Sequence, residues 1–78
     1  MIRIYADFNN MDDFGRVYLH IPGSLKDIEK HKDEVVEGKK VLLYVPDEFE
    51  VVGTLVFDRV WRAIPDMDTL HYYDEENL

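Results

Sequence analysis

Cysteine is absent from this 78-residue sequence, which excludes a disulfide framework and any cysteine-ligated zinc site as the means of stabilising so short a chain. A chain of this length buries only about 60% of the surface its unfolded form exposes, so packing must hold a thin core unaided. Glycine is scarce and dispersed, at Gly15, Gly23, Gly38 and Gly53. Neither the G-x-x-x-x-G-K nor the G-x-G-x-x-G arrangement that cradles phosphates is present. The single serine, Ser24, lies in Pro-Gly-Ser-Leu, outside any G-x-S-x-G elbow. No apolar run approaches the roughly 18 residues of a membrane-spanning helix. The N-terminal stretch MIRIYADF lacks the basic start, apolar segment and small-residue cleavage site of a secretory signal. A cytoplasmic protein, monomeric or a small homo-oligomer, is the expectation.

Positive charge is also in short supply, and the net charge is −8. The deficit is uneven. Residues 26 to 40 balance Lys26, Lys30, Lys32, Lys39 and Lys40 against Asp27, Glu29, Asp33, Glu34 and Glu37, whereas Asp66, Asp68, Asp74, Glu75 and Glu76 have no Lys or Arg among them. This acidic C-terminal pole repels phosphate backbones and anionic membranes, so a protein or peptide partner with a basic face is expected and nucleic acid is disfavoured.

With 46% hydrophobic and 13% aromatic residues, the chain nonetheless reads as folded. Ile2, Ile4, Ala6 and Phe8 alternate with polar or aromatic neighbours at the period of a half-buried strand, and Val17, Leu19 and Ile21 do the same. Asn9 to Asp13 supplies turn formers between them, so these two strands are expected to pair as a hairpin. Pro22 and Gly23 then stop the second strand. Ser24, followed by Asp27, resembles a helix N-cap with an acidic first turn, opening a short helix that ends near Lys30, or else runs to Glu37 with Gly38 as its stop.

Val41 to Val45 is a continuous apolar run of the kind buried on both faces or set at the crowded centre of a barrel, and Pro46 to Glu48 turns it into a return strand, Val51 to Phe57, where Gly53 suggests a bulge or bend. Asp58 and Arg59 make a tight turn into Val60 to Ile64. After Pro65 to Asp68, Thr69 to Tyr73 forms a last strand and residues 75–78 a frayed tail. These elements predict one mainly-β domain, a small SH3-like antiparallel barrel of five to six strands with one short helix after Ser24, the alternative being an open, curled antiparallel sheet covered by the helix. The segments Ile4 to Asp7, Gly15 to Leu19, Gly23 to Ile28 and Glu37 to Tyr44, with Trp61 and Pro65-Asp66, make the chain similar to a group of small, uncharacterised bacterial proteins. That resemblance implies no activity.

Three constellations bear on function. Asp7, Asn9, Asn10, Asp12 and Asp13 crowd one loop, but Met11 and Asp12 break the D-x-[DN]-x-[DN]-G spacing of a calcium loop, leaving Asx turns on a solvated acidic tip as the expectation. His20, His31 and His71 are the candidates for proton transfer near neutral pH. A small metal-dependent hydrolase using the loop carboxylates with His20 and His71 is thus an alternative, as is a nucleic-acid-binding barrel using Arg3, Arg16, Arg59 and Arg62 with aromatic platforms. The third is aromatic: Tyr5, Tyr18 and Tyr44 fall opposite the apolar stripes, Trp61 is out of phase with Val60 and Ile64, and Tyr72 and Tyr73 point to opposite faces. Exposed Tyr and Trp are enriched in binding surfaces. The expected role is therefore a non-enzymatic interaction module, with Tyr18, Tyr44, Trp61, Arg62 and Tyr72 as candidate binding residues and no cofactor or metal required. The ALYDY-type segment and tandem tryptophans of SH3 domains are missing, so no proline-rich ligand is implied.

Overall fold

The computed structural model describes residues 1–73; the expected frayed tail at 75–78 and the acidic residues from Asp74 onward lie outside the described residues. Six strands and one helix follow in the order β1 (Arg3–Tyr5), β2 (Val17–Tyr18), α1 (Pro22–Lys30), β3 (Lys40–Val45), β4 (Phe49–Asp58), β5 (Val60–Pro65) and β6 (His71–Tyr72), with a 3-10 turn at Met67–Thr69 before β6. They form a single curled sheet, a half-barrel of order β1-β3-β4-β5-β2, with β6 also paired to β4. The mainly-β class, the six strands and the one short helix are as the sequence predicts.

The period-2 pattern decides which side of each strand is core. Ile4, Ala6, Val17, Leu19, Val41, Leu43, Val51, Leu55 and Ala63 are wholly buried on the concave face, and Val35 from the segment after α1 joins them. Val41 to Val45 is not buried on both faces: Val41 and Leu43 are buried, while Leu42, Tyr44 and Val45 are half-buried. On the convex side of this strand Tyr44 is partly covered by Arg3, Tyr5 and Asp27. Gly53 lies within an unbroken ladder, opposite Val41 and Pro65, and makes no bulge. A Cβ there would stand 2.6 Å from a Leu43 methyl, so glycine is required because the core is filled from across the strand pair.

Several expectations change with the tertiary arrangement. β1 and β2 do not form a hairpin; β1 pairs in parallel with β3, and β2 pairs antiparallel with β5 at the opposite side of the sheet. A parallel pair needs a long crossover, which the segment containing α1 supplies. The loop between β1 and β2 folds back on β2 instead: Met11 pairs with Val17, and the Tyr18 N–H donates to the Asn10 carbonyl at 3.0 Å. The expected last strand, Thr69 to Tyr73, is shortened to two residues, because Met67–Thr69 coil into the 3-10 turn. There the Thr69 hydroxyl accepts the Val52 N–H at 2.8 Å, filling the gap in the β4 ladder between β5 and β6.

The helix begins two residues before Ser24. Ile21 is the N-cap, without a side-chain cap bond, and Pro22 opens the first turn with its φ already suited to a helix. Ser24 is buried inside the helix and donates its hydroxyl to the Tyr5 carbonyl, while Asp27, past the first turn, accepts the Tyr5 N–H at 2.8 Å. Together they satisfy both backbone groups of Tyr5 on the open edge of β1. The helix ends at Lys30, the shorter of the two expected lengths.

Candidate functional site

On the convex face, β2 and β5 pair with Tyr18 opposite Arg62, and the loop before β2 folds over both. Its geometry is organised by one carboxylate. Asp12 Oδ1 accepts the backbone N–H groups of Phe14 (2.8 Å) and Arg16 (2.9 Å), and Oδ2 accepts Arg16 Nε (2.7 Å) and Arg62 Nη1 (2.9 Å). The turn closes because Gly15 takes φ +80°, a conformation natural to glycine. Asp58, at the end of β4, completes the lattice: its carboxylate accepts Arg16 Nη2 at 2.9 Å and its carbonyl accepts Arg62 Nε at 3.0 Å.

The expected Asx turns are present, Asp7 accepting the Asn9 N–H and Asp12 that of Phe14, and Asp13 is exposed, but Asp12 is not part of a solvated tip. The Asp12 side chain is only 5% exposed, and burial alone would raise its pKa. The hydrogen bonds from Arg16, Arg62 and Phe14 outweigh that effect and hold the carboxyl well below the usual carboxylate range. Hydrogen bonds to Asp12 and Asp58 likewise raise the Arg16 pKa, so two positive and two negative groups form a locked, locally neutral unit. Arg62 stacks over the Tyr18 ring at 4.6 Å from its centroid. Arg16 lies 5.5 Å from the ring of Phe14, and Phe14 is itself 83% exposed. Asp12, Arg16, Tyr18 and Arg62 line one shallow depression of about 310 Å³, and Ile64 borders the adjoining hollow beside Phe14.

The five candidate binding residues fall in four places. Tyr18 and Arg62 are in direct contact in this cluster. Tyr44 is on the convex face of β3, half-buried, its hydroxyl donating to Asp27 at 2.8 Å and its ring 4.8 Å from the Arg3 guanidinium. Burial, followed by the bond to Asp27, pushes the Tyr44 phenol pKa up. Trp61 is on the concave side, half-buried against the core with its ring 5.1 Å from Phe57. Tyr72, 48% exposed, packs on Phe49 near the start of β4. Residue reading missed Phe14 as an exposed anchor and Asp12 as its organiser. The Asp12 to Arg16 spacing across Gly15 was the available signal, but the contact to Arg62 spans 50 positions.

The histidines do not converge along the sheet: His20 is beside Tyr18 at β2, whose strand neighbour is β5, and His71 is on β6, whose neighbour is β4. Among the described residues no three His, Asp or Glu side chains are grouped to hold a metal ion, and no helix is long and apolar enough to cross a membrane. Compared with known proteins, the chain matches no family model, no curated protein sequence and no solved structure, so its function has to be read from this geometry.

Proposed function

We propose that this chain is a non-enzymatic interaction module that binds a protein or peptide segment on the convex face around Phe14, Tyr18, Arg62 and Ile64. The observation that carries this reading is the 83% exposure of Phe14 on a loop whose conformation is fixed by the Asp12 lattice. A large apolar ring held in water on a rigid support contributes nothing to the core. Against a partner it buries area at little ordering cost. Arg and Tyr beside it match the composition of interface hot spots; Arg62 is held by Asp12 and stacks on Tyr18.

The sheet edges favour recognition by side chains over strand addition. Tyr5 on the β1 edge is bonded to Ser24 and Asp27, and β2 is covered by Asn10 and Met11, so neither edge offers the free ladder that β-augmentation needs. The fitting partner carries an apolar side chain for the hollow beside Phe14 and Ile64, and a basic face that the chain's net charge of −8 attracts at longer range.

Affinity capture from native lysate with the wild-type chain and a Phe14→Ala/Ile64→Ser variant tests this. A polypeptide recovered by the wild type and lost by the double variant, yet retained by Tyr72→Ser, is the expected outcome. Equal recovery by both, or recovery of RNA alone, would overturn it.

A further inference from the structure

A second open groove lies across the β1 and β3 side of the molecule, between α1 and those strands, and its charge runs against that of the chain. Arg3, Lys30, His31 and Lys39 line it, with Ile2 and Tyr44 as an apolar floor, over a volume of about 500 Å³. The two acids there are Asp27 and Glu34. Asp27 is turned inward to the Tyr5 N–H and the Tyr44 hydroxyl, and Glu34 lies on the His31 side, 4.0 Å from its Nδ1. Lys30 and Lys39 have no carboxylate within salt-bridge distance among the described residues. In a chain with 17 acidic residues against 9 basic ones, scarcity of carboxylates does not explain two unpaired lysines in one groove.

From this we infer that the groove is a binding site for a phosphomonoester. Ammonium groups act as compact point charges with rotatable donors, which suits a tetrahedral dianion with three acceptor oxygens. A bidentate contact would call on the planar fork of an arginine, and Arg3 is already engaged, donating to the Tyr73 hydroxyl at 2.9 Å with Glu50 at 3.8 Å, which leaves the two ammonium groups as the anchors. The organic part of the ester lies along Ile2 and Tyr44, and Lys30 and Lys39 hold the phosphate. This site is separate from the Phe14 face, and either can fail without the other.

The test is titration of the ¹⁵N-labelled chain with phenyl phosphate, with glutamate and sodium chloride at matched ionic strength as comparisons. Saturable amide shifts confined to Ile2, Lys30, His31, Lys39 and Tyr44, produced by phenyl phosphate and not by the comparison salts, are expected. Lys30→Gln/Lys39→Gln should weaken the binding at least about tenfold at an unchanged thermal midpoint. Equal shifts with glutamate or chloride, shifts centred on Phe14 and Arg62, no saturation, or full binding by the double variant would each overturn the assignment.

Discussion

Asp12 is a carboxylate whose value comes from being surrounded by donors. Its neighbours hold its folded pKa below the ordinary carboxylate value of 3.8, so the stabilisation it provides is complete above about pH 4 and drains away as the pH falls through that range toward the lower folded value. Asp12→Asn should therefore lower the urea midpoint at pH 7, and the gap from wild type should narrow steadily below about pH 4. A gap independent of pH would mean that packing, not charge, is what the substitution removes. Tyr44 has the opposite sign. Its phenol is raised above 10.0, so its contribution is present in full below about pH 10 and is lost above it as the proton leaves. Tyr44→Phe should cost about 1 kcal/mol at pH 7 through loss of the bond to Asp27 and should leave unfolding less sensitive to pH above 10, read from parallel denaturation curves.

At the level of elements, the strands are as short as two residues, so what secures them is the chemistry at their edges. α1 acts as a cover for β1: Ser24 and Asp27 replace the missing strand beyond it, which also removes a template for edge-to-edge aggregation. Thr69 serves similarly where β5 stops and β6 has not begun. β4, the longest strand, is the spine to which β3, β5 and β6 all bond, and it can lie close to Leu43 only because position 53 has no side chain. Gly53→Ala should destabilise by roughly 1–3 kcal/mol through overpacking, and Leu43→Val in the same background should recover part of that loss in thermal unfolding. Recovery absent from the double variant would place the cost in the backbone rather than in this contact.

The whole molecule carries a net charge of −8, which opposes compaction by self-repulsion. Several of the ion pairs among the described residues are exposed. Raising sodium chloride from about 20 to 200 mM shortens the Debye length from about 20 to under 10 Å and should raise the thermal midpoint, because screening relieves more repulsion than it removes attraction. A fall would show that the Asp12 lattice and its neighbours outweigh the general repulsion. The two faces differ in how charge is matched: beside Phe14, Asp12, Asp13 and Asp58 are offset by Arg16, Arg59 and Arg62, while Lys30 and Lys39 in the groove beside α1 have no carboxylate within salt-bridge distance among the described residues.

What the sequence determined by itself was local. Alternation at period two in Ile2 to Phe8, Val17 to Ile21 and Val51 to Phe57 selected the buried face of each strand, and Pro22, Pro46 and the Asp58-Arg59 pair marked where elements begin and turn. Periodicity is a property of neighbouring residues, so it survives in one dimension. Pairing is not: whether β1 lies beside β2 or β3 depends on which closure buries Ile4 and Leu43 together, and that choice is made by the whole chain collapsing at once. The same applies to both candidate sites. Asp12 meets Arg62 only because β2 lies against β5, and Lys30 and Lys39 line one groove only because α1 packs against β1. Composition supplied the charged and aromatic groups, and the tertiary structure decided which of them became core, which became lattice and which were left facing solvent.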